Sequence, residues 1–182
     1  MRALRLPRSA RSRFTAVLAS AAFLLPTATA QAAQSAPAAP ARHCVVVLDQ
    51  LRPGESASRV LSRDCATGTE APAPTGRAAA ATLLMTWYAD IDYGGDSTQI
   101  RGSYGGCNAE GYGFAYVGDA WNDRISSFKT FNSCDTVSGY DHANYGLDVY
   151  YCGRCGSGGT FSEPYVGNNA NDRISSWWIS RS

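Results

Sequence analysis

Short apolar segments, broken by turn residues about every eight to twelve positions, set the pattern of the last hundred residues, roughly 82–182. Thr98-Gln99-Ile100-Arg101 and Phe128-Lys129-Thr130-Phe131 alternate with period two, and Gly, Tyr, Asn and Asp punctuate the chain between such segments. Successive side chains of a strand point to opposite faces, so the alternation predicts half-buried strands. No stretch sustains the spacing of an amphipathic helix. Many short strands at this spacing predict an all-β sandwich or barrel.

The preceding residues follow other rules. Arg2, Arg5, Arg8, Arg11 and Arg13 form a basic start, Phe14 to Leu25 an uncharged apolar run, and Ala28-Thr29-Ala30 a small-residue cleavage site. These are the three parts of a secretory signal peptide, predicted over 1–30. A dozen helical residues reach roughly 18 Å, short of the ~30 Å hydrocarbon core, so a membrane span is not expected. The Ala/Pro/Gln/Ser stretch 31–42 reads as a disordered tail. Residues 43–65, HCVVVLDQLRPGESASRVLSRDC, hold a β-branched apolar run, a Pro-Gly turn and a second semi-apolar run between Cys44 and Cys65. So short a piece buries little core, and a disulfide staple is the expected reason for its order. Residues 66–81 read as a linker, which leaves 82–182 as the main domain.

Within that domain the chain matches itself. Tyr116 to Phe128, YVGDAWNDRISSF, and Tyr165 to Trp177, YVGNNANDRISSW, agree at nine of thirteen positions. Upstream of each lies an aromatic hairpin, Tyr88-Ala-Asp-Ile-Asp-Tyr93-Gly-Gly95 and then Tyr140-Asp-His-Ala-Asn-Tyr145-Gly-Leu147. A unit of about fifty residues suits four short strands. Two such antiparallel units, each a Greek key, bury together what neither buries alone.

The repeated corner Asn-Asp-Arg-Ile-Ser-Ser, at 122–127 and 171–176, offers an amide oxygen, a carboxylate, hydroxyls and turn carbonyls. Hard oxygen donors in irregular geometry suit Ca²⁺, and one carboxylate per corner predicts modest affinity, on the order of 10⁻⁵–10⁻³ M. Ile125 and Ile174 are the expected inward anchors. The same polar residues also close Asx and Ser/Thr turns with no ion bound, and the chemistry alone leaves both readings open.

Two corners of the form Asn/Asp-Asn/Asp-x-x-Ser/Thr-Ser, each after an aromatic-x₄-aromatic-x-Gly hairpin, resemble the βγ-crystallin family, and its microbial calcium-binding members in particular. The resemblance covers 82–182. It implies two Greek keys packed as a βγ-crystallin-like sandwich, here with a small disulfide-stapled N-terminal segment, and two Ca²⁺ sites made by exchange between the corners. The carboxylates of Asp123 and Asp172, the backbone carbonyls of Arg124 and Arg173 and the hydroxyls of Ser126 and Ser175 would hold the ions. Asn122 and Asn171 would orient the corners or lend an oxygen to the neighbouring site, and a hairpin carbonyl near Asp90 or His142 would add a ligand. Ser127 and Ser176 read as structural caps. The second hairpin departs from the pattern at Leu147, where the family has a glycine of positive φ. Gly146 offers a way to shift the turn by one residue; otherwise the hairpin is reshaped.

Charge and cysteines complete the reading. Loss of the signal removes five of the 16 Lys and Arg, leaving 11 against 15 Asp and Glu, so a net +1 becomes about −4. With one lysine, Lys129, and no clustered basic footprint, nucleic acid and anionic membranes are not expected partners. In an exported chain six cysteines read as disulfides. Cys44 with Cys65 is the isolated pair, while Cys107, Cys134, Cys152 and Cys155 admit three pairings. Cys152-Gly-Arg-Cys155 lacks the further ligands of a zinc site and the strand-to-helix context of a redox dithiol, and reads as structural.

With His43 and His142 the only histidines and no nucleophile elbow, no catalytic residues are assigned and no enzyme is expected. The expected molecule is a secreted, extracellular, monomeric calcium binder. The same resemblance keeps open a metalloproteinase inhibitor or a killer-toxin-like antimicrobial protein, acting on an extracellular protease or a cell-surface component. Cys152 to Thr160 is the candidate inhibitory loop. A carbohydrate-stacking face of Tyr112, Phe114, Tyr116, Trp121, Trp177 and Trp178 is a third, weaker reading.

Overall fold

The computed structural model describes residues 39–156 and 158–182. The signal peptide expected over 1–30 and most of the tail expected over 31–42 lie outside the described residues. Strands β3 (Thr82–Tyr88), β4 (Ser97–Gly102), β5 (Tyr112–Phe114) and β6 (Ser127–Thr130) form a first four-strand unit. Strands β7 (Thr136–His142), β8 (Gly146–Cys152), β9 (Phe161–Glu163) and β10 (Ser176–Ser180) form a second.

Each unit gives its third strand to the other. One sheet runs β4-β3-β6-β9 and the other β8-β7-β10-β5, so β9 pairs with β6 and β5 with β10. The two orders are the same order, related by an approximate twofold axis. Backbone bonds repeat the exchange: Val117 N–H donates to the Ser175 carbonyl and Val166 N–H to the Ser126 carbonyl, at 2.9 and 3.0 Å. Between the sheets lie Trp87, Phe128, Trp177, Ile100, Ile125 and Ile174, all essentially inaccessible to solvent, so the two isoleucines are the inward anchors of the corners. Trp177 meets Phe128 edge-on at 5.2 Å, a favoured arrangement of aromatic quadrupoles.

Two further strands, β1 (Arg42–Leu48) and β2 (Val60–Thr67), widen the first sheet. They form an antiparallel hairpin stapled by Cys44–Cys65, and β1 lies parallel to β4 from His43–Ser97 to Leu48–Gly102. The uninterrupted Val45-Val46-Val47-Leu48 run follows from this position, because both faces of β1 are covered. Val46 and Leu48 enter the main core, and Val45 and Val47 pack under Ala78 and Ala81.

The segment 66–81, expected to be a linker, therefore has structure: β2 runs to Thr67, and the helical turn α1 (Arg77–Ala80) folds back over β1 because its alanines are small enough to seat on the valines. The tail expected to reach residue 42 likewise ends before it, since Arg42 opens β1 and its N–H donates to Asp96. The other disulfides are Cys107–Cys134 and Cys152–Cys155.

Candidate metal centre

The two corners sit where each unit meets the other. In each, the Asp of the Asn-Asp pair takes a left-handed conformation, φ 57° at Asp123 and 55° at Asp172, which a short polar side chain tolerates. The reversal lifts the carboxylate toward solvent and drives the following Ile into the core. It also fixes the Asn. Asn122 Nδ2 donates to Asp123 Oδ2 and Asn171 Nδ2 to Asp172 Oδ2, both at 2.7 Å, so each amide orients its neighbour's carboxylate and turns its own oxygen away.

The serines of one corner reach the acid of the other. Ser175 Oγ lies 2.7 Å from Asn122 Oδ1, 3.5 Å from Asp123 Oδ1 and 2.6 Å from the Asp141 carbonyl. Ser126 Oγ lies 3.5 Å from Asp172 Oδ1. Both serines are buried, while Asp123 and Asp172 are exposed, so each cluster is a cradle with its hydroxyl at the floor and its carboxylate at the mouth. A hydroxyl carries one proton and can serve only one of the three acceptors around Ser175. Asn171 Oδ1, the counterpart of Asn122 Oδ1, is buried with no hydrogen-bond partner among the described residues. Neither the Arg124 nor the Arg173 carbonyl accepts a hydrogen bond there either. Oxygens in excess of the available protons, some of them orphaned, fit a hard cation. Among the described residues no three His, Cys, Asp or Glu side chains gather in one place, so such a site would depend on amide, hydroxyl and carbonyl oxygens.

The structure brings together Asn122, Asp123 and Ser175 in one cradle and Asp172 with Ser126 in the other. The arginine side chains turn outward, as their position requires if only the main chain is to bind. Arg124 donates to Asp96 at 3.1 Å and to the Ala120 carbonyl, and Arg173 to Asp141 at 2.7 Å and to the Asn169 carbonyl. These ion pairs are partly exposed, each worth about 0–1 kcal/mol, and tie each corner to its own hairpin.

The hairpin carbonyls near Asp90 and His142 face different partners. Those of Asp90 and His142 accept the hydroxyls of Ser127 and Ser176, at 2.7 Å each, and the same hydroxyls receive the N–H groups of Tyr93 and Tyr145. Ser127 and Ser176 therefore cap the hairpins. The carbonyl that adjoins a cradle is that of Asp141, one residue earlier, which the motif did not single out.

The hairpins themselves superimpose in conformation. Asp92 and Tyr93, then Asn144 and Tyr145, are left-handed in succession, and the two tyrosines of each hairpin meet edge-on at 5.6 and 5.5 Å. Gly95 has φ 72°, and a Cβ there would lie 2.6 Å from Asp90 Oδ2. Leu147 keeps the same turn at φ 55°, with its side chain largely in solvent, and Gly146 stays at φ −83°. The turn neither shifts nor changes shape, because His142 replaces Asp90 and the leucine points away. Paired corners, folded-over hairpins and exchanged third strands decide the architecture.

The fold is βγ-crystallin-like. Comparison with solved structures finds clostrillin carrying two substitutions in complex with nickel, 26% identical over 54% of this chain and 99% of that one, TM-score 0.38. It also finds a βγ-crystallin domain from Clostridium beijerinckii, 26% identical over 54% and 99%, TM-score 0.37, and a βγ-crystallin from an archaeon, 23% identical over 54% and 98%, TM-score 0.38. No family model matches the chain, and no curated protein matches it. The assignment of the βγ-crystallin-like fold rests on the strand exchange and the corner geometry rather than on these scores.

Two other expectations meet the structure differently. The stretch Cys152 to Thr160 is stitched to the loop before β7: Cys155 N–H donates to the Asp135 carbonyl at 2.6 Å, and Ser133 N–H to the Gly159 carbonyl at 3.0 Å. Of the six aromatics expected as a stacking face, Tyr112, Phe114, Trp121 and Trp177 are buried, since a sandwich of this size fills its core with them. The six therefore do not form one exposed face.

Proposed function

We propose that this is a secreted Ca²⁺-binding βγ-crystallin-like protein whose two cradles each take one ion and stiffen the fold. One ion would be held by Asp123, the Arg124 carbonyl, Ser175 and the Asp141 carbonyl, with Asn122 beside it. The other would be held by Asp172, the Arg173 carbonyl and Ser126, with Asn171 beside it. Bound calcium supplies positive charge that draws these oxygens together. The observation that carries the reading is the convergence of Asn122, Asp123 and the Asp141 carbonyl, from both units, within 2.6 to 3.5 Å of the Ser175 hydroxyl. A ligand that joins the two units stabilises the folded state by its linkage free energy, roughly 2.7 kcal/mol at one hundred times Kd.

Export is supported by the signal-like first thirty residues and by the three disulfides, which persist in an oxidising compartment. Melting the protein with EDTA and with 10 mM calcium tests the reading. Calcium is expected to raise Tm by several degrees, and Asp123→Asn with Asp172→Asn to remove the response; superimposable melts of the unaltered protein in the two buffers would overturn it.

A further inference from the structure

The β1–β2 hairpin has no counterpart in the second unit, and its turn end builds a cleft of about 370 Å³. Arg52 from the turn, Arg59 ahead of β2 and Arg77 from α1 line it, against one carboxylate, that of Asp49. Asp49 is buried, and its charge is satisfied by the Arg59 guanidinium and by the Ser103 hydroxyl, which donates at 3.2 Å. Arg52 pairs with Asp49 only at 3.7 Å, beyond hydrogen-bond distance, and Arg77 makes no ion pair among the described residues, so both keep N–H donors free. Glu55, whose carboxylate accepts the Arg52 backbone N–H at 3.0 Å, does not line the cleft, though its charge reaches Arg59. A lining of three guanidiniums and one carboxylate, in a chain whose residues after the signal-like segment are net acidic, makes a local positive site that composition does not explain. The planar guanidinium fork matches a tetrahedral oxyanion in two-point contact. At the rim stands Tyr104, 71% exposed, with a ring face free to cover whatever carries the anion.

We propose that this cleft binds a phosphate or sulfate monoester, with the oxyanion between Arg52, Arg59 and Arg77 and the ring of the esterified group against Tyr104. The hairpin then serves as more than an edge strand: it adds a recognition site to the sandwich.

The test is a titration of the ¹⁵N-labelled purified protein with inorganic phosphate and with phenyl phosphate, at fixed ionic strength so that screening does not change. Saturable shifts of the Arg52, Arg59 and Arg77 Nε–H resonances at millimolar phosphate, and tighter binding of phenyl phosphate, are expected. Arg52→Gln and Arg77→Gln, both at exposed side chains, should each weaken phosphate about tenfold, the loss of one charge-assisted hydrogen bond. Arg154→Gln, outside the cleft, should change nothing. Tyr104→Ala should remove the advantage of phenyl phosphate and leave inorganic phosphate unaffected. Shifts that do not saturate, or that persist equally in the Arg52→Gln/Arg77→Gln variant while its melt shows it folded, would overturn the site. A Tyr104→Ala variant that still prefers phenyl phosphate would overturn the role of the ring.

Discussion

Leu147 shows what one residue can record about a fold. A leucine at φ 55° carries a steric penalty of about 1–2 kcal/mol that glycine avoids, and part of that gain returns as extra freedom of the unfolded chain. Leu147→Gly is therefore expected to stabilise the protein by about 1 kcal/mol, seen as a rise in Tm of about 2–4 °C in a calorimetric scan. A fall in Tm would mean that the leucine makes contacts its exposure does not suggest. The departure at this position was legible in the sequence, but its outcome was not. Whether a turn shifts or absorbs strain depends on what its neighbours allow, and the neighbour that forbids a Cβ at Gly95, the Asp90 carboxylate, is a histidine in the second hairpin. The roles of Ser127 and Ser176 were legible, since a hydroxyl repeated at the end of both corners has few partners other than backbone. The Asp141 carbonyl was not, because a main-chain oxygen leaves no mark on residue identity.

At the scale of elements, the sequence announced strands and turns but not their partners. The Val45–Leu48 run reads as a strand, yet nothing local says that it lies parallel to β4, because pairing across fifty residues is set by the whole sheet. A continuous apolar run in place of an alternating one was the available signal that both faces are covered. The regular structure at the two ends of 66–81 was hidden for a similar reason: Ala and Pro look featureless until a valine face needs covering. The Cys44–Cys65 bridge closes a loop of 21 residues, and removing it as Cys44→Ala/Cys65→Ala should cost about 2–4 kcal/mol in urea unfolding. Since β1 is held by β4 along its other edge, the variant should still fold and should keep its calcium response. A variant that folds but loses that response would tie the hairpin to the cradles.

For the whole molecule, duplication was the most legible feature, and the approximate twofold axis is its consequence. The exchange of third strands was not visible in the residues of β5 or β9; the resemblance implied only that the corners pair, and the swap is set by the packing of both sheets. Charge acts at this scale too. Asp49 is held below the usual carboxylate range by its bond to Arg59, and Asp96 by the Arg42 backbone N–H, with burial opposing in both cases. A carboxyl depressed in the folded state contributes stability above its unfolded value, near 3.9, and that stability is lost as pH falls through the folded value. Thermal melts are therefore expected to hold steady from pH 7 to about pH 5 and to drop below about pH 4, with a shallower drop in Asp49→Asn. A flat profile down to pH 2 would contradict the two assignments.

On the reading proposed above, oxygens from both units, gathered at Ser175 and Ser126, hold divalent calcium. Isothermal titration of the chelator-treated protein with calcium tests it most directly. Saturable heat for two ions per chain is expected, with Kd between about 10⁻⁵ and 10⁻³ M, lost in the Asp123→Asn/Asp172→Asn variant. Heats equal to dilution throughout, in a sample whose melt shows it folded, would contradict it.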